Sequence, residues 1–394
     1  MKTGDSDSSV TRRVALGSLA AGGLLSLGGA AAAPKNWEAQ AARDAKRDRT
    51  TIAYDGQIPN SMVCDTMVRE IPDGSWVLFL LAGGDSEPSP ANYVGVTRSR
   101  DKGKNWTPLQ GVNVGFRRAG KTIGQGATEL MVRRNRCTLF FSTHSNHWRN
   151  DWKTWIIHSD DNCRTWSEPQ AAPGRVAERA FIRNHIVTRD GRILLPYQYY
   201  AGPGSEASKS PLERQLTNPR NGIIMSSDGG ATWTDHGDIR LTDDDRYFGW
   251  AEANLAELSG GRIAMVIRAD RLGGVLYHAE FGDGGRSWPA FAQKSEIPNP
   301  GSKATLYPLG KKSVALLHNP NPNHRSPLAL WISFDDMMTW PYRRVLVPHS
   351  IDGPKGRLNY PDGFVSRDRQ WLHFAYDDNR HNAVYYGAKL PPLP

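Results

Sequence analysis

Cysteine is scarce. The chain has 394 residues and only three cysteines, Cys64, Cys137 and Cys163. An odd number cannot form a fully paired disulfide framework within one chain. None of the three stands at a Cys/His spacing that suits zinc, so neither a metal nor a cofactor is expected. Dense blocks of lysine and arginine are also missing. The formal net charge of +9 is spread along the chain, which leaves no footprint of nucleic-acid binding. A moderately basic surface of this kind suits an anionic polymer or an acidic sugar.

The one distinctly apolar segment lies near the N-terminus. Thr11-Arg12-Arg13-Val14-Ala15-Leu16 precedes an Ala/Gly/Leu-rich run that ends at Ala33. A twin arginine before a mild apolar core reads as a Tat-type signal peptide over 1–33. Its glycine content and short length make it a poor membrane anchor, so no stable span is expected after its removal, and the product would be periplasmic or extracellular. Residues 34–50 are polar and alanine-rich and read as a linker or loose helix. Residues 51–394 are left as the folded domain.

That domain repeats. Five segments follow one pattern: Ser99 to Trp106, Ser159 to Trp166, Ser226 to Trp233, Phe281 to Trp288 and Ser333 to Trp340. Each reads approximately Ser-x-Asp-x-Gly-x-Thr-Trp. The pattern is that of a tight turn between two strands. The Asp accepts hydrogen bonds from turn N–H groups, Gly or Asn supplies a permissive backbone, and the Trp packs beneath. These segments resemble the Asp-box repeats of the sialidase superfamily, also called bacterial neuraminidase repeats. The resemblance implies that the boxes are structural and lie away from the active site.

Strand-like runs surround the boxes. Trp76–Leu81, Thr138–Ser142, Ile193–Tyr200, Ile263–Ile267, Ser313–His318 and Trp371–Tyr376 each follow a turn-like cluster. Six inner hairpins therefore stand against five boxes. The sixth unit, Tyr360–Leu390, can borrow its outer strand from Thr51–Tyr54 and close a ring. The fold class is accordingly all-β, a six-bladed propeller of four-stranded blades.

In such blades the first strand begins, and the second ends, at one shared mouth. The clearest case is the hairpin from Trp250 to Arg268, which holds Glu252 and Arg268 at the same end of an antiparallel pair. The same rule brings Cys64-Asp65, Gly83–Glu87, Gln125, His144–Trp148, Arg183–His185, Ser302-Lys303, Asn319–Arg325, Asn359–Asp362 and Asp377–His381 to the mouth. Clustering so many polar groups costs desolvation that a propeller does not need for stability, which points to a site. On the opposite face, Cys137 and Cys163 are expected to come close enough for a bridge, leaving Cys64 as a free thiol.

The resemblance also implies roles. Sialidases use a Tyr nucleophile activated by a Glu, a separate Asp as acid/base and three arginines that hold the substrate carboxylate. A neutral Tyr can approach an anionic anomeric centre without repulsion, and guanidinium forks match a carboxylate. Glu252 is similar to the activating glutamate, Arg268 and Arg325 to the second and third arginines, and Tyr360 in Asn359-Tyr-Pro-Asp362 to the nucleophile. Asp85 falls where the family places the acid/base, with Glu87 close by as the alternative. Arg183, His185, Arg380 and Trp250 complete the expected substrate contacts. One departure is plain. The Arg-Ile-Pro motif that begins the family's first blade is replaced by Ser61-Met-Val-Cys-Asp-Thr-Met-Val68, while Gln57-Ile-Pro59 keeps the Ile-Pro but lies too early.

Three functions fit this reading. The first is an exported exo-glycosidase hydrolysing a terminal, acidic sugar of an oligosaccharide or glycoconjugate. The second is a polysaccharide lyase acting on uronates, with His144, His147 or His185 as base and Arg183 neutralising the carboxylate. The third is a non-catalytic glycan-binding propeller that stacks sugars on Trp148, Trp152, Trp155 and Trp250.

Overall fold

The computed structural model describes residues 36–56, 62–116, 123–145, 152–202 and 217–394. The expected signal peptide, Gln57–Pro59, His147, Trp148 and residues 203–216 of the long blade-three loop lie outside them.

The described residues form six antiparallel sheets arranged as the blades of a propeller. Blade one runs from Val63–Glu70 through Trp76–Ala82 and Tyr93–Ser99 to Gln110–Gly111. Blade two has the same order from Gly124–Arg133 to Gln170–Ala171. Blade three runs from Ala180–Ile182 to Thr234–Arg240, with an extra short strand at Ile186–Val187. Blade four runs from Ala253–Glu257 to Gln293–Pro298, and blade five from Thr305–Gly310 to Tyr342–Val347. Blade six consists of Leu358–Val365, Trp371–Asp378 and Asn382–Lys389. Its outer strand is Arg49–Asp55, with Thr51 opposite Tyr385. Joining the two ends of the domain in one sheet closes the ring, as the shortage of one outer strand predicted.

The inner strands show why a simple apolar/polar alternation is missing from the sequence. Trp76–Ala82 is buried at every position. Its side chains still alternate, but between two neighbours. Val77 and Phe79 pack against Leu139 and Phe141 of blade two. Trp76, Leu78 and Leu80 pack against Ala375 and Tyr385 of blade six. A strand buried on both faces reads as a continuous apolar run.

The repeated turns are held by their own side chains. In blade three, Ser226 Oγ donates to Asp228 Oδ1 at 2.8 Å, and the N–H groups of Ala231 and Thr232 donate to the same oxygen at 3.0 and 2.9 Å. The Gly230 N–H donates back to Ser226 Oγ at 2.8 Å. Gly229 and Gly230 have φ of 79° and 100°, a region open to glycine at little cost. Trp233 Nε1–H closes on the Gly230 carbonyl at 3.1 Å. The blade-four copy starts with Phe281 and lacks the first hydroxyl, yet Asp283 still accepts the Arg286 and Ser287 N–H groups. These hydrogen bonds hold the turn carboxyls below the usual range. The Asn105 N–H is the largest influence on Asp101, which falls to about 2. A depressed folded-state pKa contributes stability above the ordinary carboxylate range, and that stability is lost as pH falls. Asp228→Ala is therefore expected to lower the Tm by ~2–5 °C at neutral pH, with a smaller difference near pH 2–3. Thermal melts across that pH range measure it, and an equal loss at both pH values would contradict the assignment.

The stretch read as a linker is built into the domain. Trp37–Ala45 is a helix. Trp37 stacks on Phe334 at 4.3 Å, and Asp44 accepts the Tyr342 hydroxyl at 3.0 Å. Asp48, just beyond the helix, accepts from Arg344 Nη1, the Tyr386 hydroxyl and the Lys389 N–H at 2.7–2.9 Å. Alanine-rich polarity suggested looseness because the partners of Trp37 and Asp44 lie about 300 residues away in sequence.

Candidate active site

The blade-four hairpin forms as its register requires. The Arg268 N–H donates to the Glu252 carbonyl at 2.9 Å, just beyond the last ladder pair, Ala253 with Ile267. The side chains meet as well. Arg268 Nη1 donates to both Glu252 oxygens, at 3.2 and 3.0 Å, and lies 3.5 Å from Tyr360 Oη. Its Nε and Nη2 are taken by Asp270 at 2.7 and 2.9 Å. The roles implied for Glu252 and Tyr360 predict a direct bond between them. Instead, Arg268 Nη1 bridges them, because a guanidinium fork can reach a carboxylate and a phenol at once.

Three further arginines surround the Tyr360 ring. The guanidinium carbons of Arg380, Arg325 and Arg183 lie 5.2, 5.8 and 5.9 Å from its centroid. Their partners differ. Arg183 pairs with Asp65 at 3.2 Å and approaches Glu252 at 3.8 Å. Arg380 pairs with Glu87 at 3.1 Å. Arg325 has only neutral acceptors among the described residues, Asn359 Oδ1 and the Gly301 carbonyl, each at 3.0 Å. Its charge is the one left for an incoming anion.

Backbone strain marks the same place. Asp65 and Tyr360 both have φ of 50°, although neither is glycine. Each sits where its first strand slips register, between Cys64 and Met67 in blade one and between Asn359 and Asp362 in blade six. Such bulges re-aim a side chain, and strained non-glycine positions cluster at functional sites. The two bulges are neighbours: Thr66 Oγ1 donates to the Tyr360 carbonyl at 3.4 Å.

The charges are poised by burial and by one another. Burial, then the Glu252 carboxylate, pushes the Tyr360 phenol up, and Arg268 opposes them. Burial would also raise Glu252, but Arg268, Arg183 and Arg325 outweigh it and keep the carboxyl low and ionised. Asp65 goes the other way: burial lifts it to about 6 against the pull of Arg183. Burial and the neighbouring Arg268 lower Arg325.

The remaining expected residues are dispersed. Asp85 is exposed at the rim, and its one hydrogen bond among the described residues comes from Ser86 Oγ at 3.4 Å. Glu87 turns inward, accepting from Arg380 and from the Cys64 thiol, whose sulfur lies at 3.0 Å. Trp250 is half-buried against Trp152, Phe181 and Tyr200, and its N–H donates to Asp270 Oδ2 at 3.2 Å. Trp152 is fully buried and offers no stacking face. Trp155 donates to Thr143 Oγ1 and packs on Phe116. His144 is buried with Nε2 3.1 Å from Asn92 Oδ1.

His185 does not join Tyr360. Its Nδ1 lies 2.7 Å from Glu129 Oε1, in a second ionic group one pleat deeper along the strands. There Arg69 grips both Glu129 oxygens at 3.1 and 3.0 Å and Asp362 Oδ1 at 2.7 Å. Lys303 Nζ reaches Asp362 Oδ2 at 2.7 Å, and Asn184 donates to Asp362 Oδ1 at 2.7 Å. Arg69 and Glu129 escaped the sequence reading, as did Asp270. The signal was there: a charge set among the apolar residues of a strand, and a carboxylate two residues after Arg268 on the same side.

Among the described residues one group has the spacing of metal ligands: Cys64, Asp65 and Glu87 offer donor atoms within 4.8 Å of one another. The positive charge those donors would gather is already supplied by Arg183 and Arg380.

A comparison with known families bears on this arrangement. The BNR repeat-like domain matches residues 64–373. This chain belongs to that family, within the sialidase superfamily. A sialidase of Bacteroides fragilis is 24% identical over 335 residues, which cover 76% of this chain and 56% of that protein. The BNR propeller therefore spans little more than half the length of that relative. Among solved structures, a Dyadobacter fermentans protein of unknown function superimposes with a TM-score of 0.65 at 17% identity, covering 87% of this chain and 99% of that one. Trypanosoma rangeli sialidase in complex with the inhibitor DANA superimposes with a TM-score of 0.61 at 16% identity, covering 86% and 59%. The BNR propeller thus has the sialidase fold.

Proposed function

We propose that this BNR propeller is a sialidase-like glycoside hydrolase that removes a terminal sugar bearing a carboxylate. One observation carries the reading: the Tyr360 hydroxyl stands beside the Arg268–Glu252 pair on a floor of arginines, one of which, Arg325, has no carboxylate partner among the described residues. A substrate carboxylate would dock on Arg325 and draw on Arg268 and Arg380. As Arg268 turns to it, Glu252 loses the partner that keeps its carboxyl low and becomes basic enough to take the phenolic proton. Tyr360 Oη then attacks the anomeric carbon as the glycosidic C–O bond breaks. Asp85, free of ion pairs among the described residues and exposed at the rim, protonates the leaving oxygen and later deprotonates the hydrolytic water. Glu87 is less suited to this because it is committed to Arg380.

The same reading accounts for the missing first-blade arginine. Cys64 packs against Tyr360 in its place. Glu87 links Cys64 to Arg380, so a blade-six guanidinium reaches the vacated side of the ring. The Arg380→Ala variant is expected to raise KM by roughly tenfold or more with a smaller change in kcat, the loss of one charge-assisted contact. Equal KM values for wild type and variant would remove Arg380 from the substrate site.

The lyase reading is less well supported, since His144 and His185 are held by Asn92 and Glu129. A panel of chromogenic glycosides, run beside an assay for unsaturated products on acidic polysaccharides, separates the two. Release of a saturated acidic monosaccharide is expected. An ultraviolet-absorbing unsaturated sugar would overturn the proposal.

A further inference from the structure

Blade two brings two thiols together at the end remote from the mouth. Cys137 lies near the start of the second strand, Arg136–His144, opposite Ser159 at the end of the third, Lys153–Ser159. Ser159 Oγ accepts the Cys163 N–H at 2.9 Å, so the turn folds Cys163 back over Ser159. The two cysteine side chains share the core between blades one and two with Val77, Leu139 and Trp166. Neither position is free to drift. Cys137 sits in a strand paired on both sides, and Cys163 holds a φ of 60° in a turn tied down by Asp161. Cys64 differs: it is buried beneath Tyr360 and bonded to Glu87 rather than to a second thiol.

We propose that Cys137 and Cys163 form a reversible disulfide that staples the outer turn of blade two. Cys163 is largely buried but lines a surface groove with Arg98 and Thr165, the side from which a disulfide-bearing partner would approach. The contact between the thiols favours charge on Cys137: the hydrogen bond from Cys163 pulls Cys137 down and pushes Cys163 up. Thiol–disulfide exchange follows in two steps. Cys137, as thiolate, takes the Cys163 proton while the Cys163 sulfur attacks the partner's disulfide, forming a mixed disulfide and releasing one partner thiolate, which takes that proton from Cys137 and leaves as the thiol. Cys137 thiolate then attacks the Cys163 sulfur, forming the intrachain bond and releasing the second partner thiol. The chain loses two protons and two electrons, and the partner's disulfide gains them. A bridge closing the loop between residues 137 and 163 restricts the unfolded chain. It is independent of the catalytic reading.

The test uses the whole chain treated with oxidised or reduced glutathione. Thiols are counted in denaturant, disulfides are mapped by peptide mass and thermal melts are recorded. After oxidation one reactive thiol, Cys64, is expected, with an intact mass lower by ~2 Da, the two hydrogens given up in the exchange. The Tm should rise by ~3–6 °C, reversibly with dithiothreitol. Cys137→Ser and Cys163→Ala should each abolish the redox-dependent part of the shift. Three remaining thiols, a bridge to Cys64, or a Tm that does not respond to reductant would each overturn the proposal.

Discussion

Tyr360→Phe is expected to reduce turnover by a factor of about a hundred or more while leaving the fold intact. The substitution deletes one oxygen, which lies 3.5 Å from Arg268 Nη1. The ring that Arg183, Arg325 and Arg380 surround remains, so KM should change little. Removing the phenol also relieves a buried polar group, and the Tm should hold or rise slightly. Steady-state kinetics on the glycoside found by the screen, beside a thermal melt, provide both readouts. Near-normal turnover in a folded variant would mean that Tyr360 is not the nucleophile. The nucleophile would then have to be sought among the carboxylates of the same pocket, Asp65 and Glu252 first.

The largest effect on stability is expected from Asp362→Ala. Asp362 is completely buried and holds Arg69, Lys303 and Asn184. Burial alone would push its carboxyl up, but Arg69 and Lys303 outweigh that and bring it below the usual range. Its contribution is therefore present above the ordinary carboxylate pKa and lost as pH falls through the lower, folded value. Truncation leaves two buried cations with Glu129 as their remaining carboxylate, a defect that costs about 3–5 kcal/mol. Urea unfolding at pH 7 measures it. Adding Lys303→Met to the same chain should recover part of the loss, since it removes one uncompensated charge, and a double-mutant cycle isolates that coupling. A loss below about 1 kcal/mol for the single variant would show that solvent reaches the cluster and screens it.

The sequence by itself determined whatever depends on near neighbours. The five repeated turns, each with an Asp and a Trp, close on their own side chains within a few residues, as Ser226, Asp228, Thr232 and Trp233 show. Six hairpins against five turns pointed to an outer strand near Thr51–Tyr54, and the strand there is Arg49–Asp55. The antiparallel register placed Glu252 beside Arg268 without further information. Tertiary structure decided the rest, because ring closure joins residues from different blades and bulges turn side chains away from their regular directions. Whether Glu87 or Asp85 faced inward depended on Arg380, 293 residues further on. His185 went to Glu129 because Arg69 had already gathered that carboxylate with Asp362 at the propeller axis. Tyr360 met Glu252 through Arg268 because blades four and six converge there, and the length of one guanidinium, a property no spacing along the chain encodes, set the distance between them.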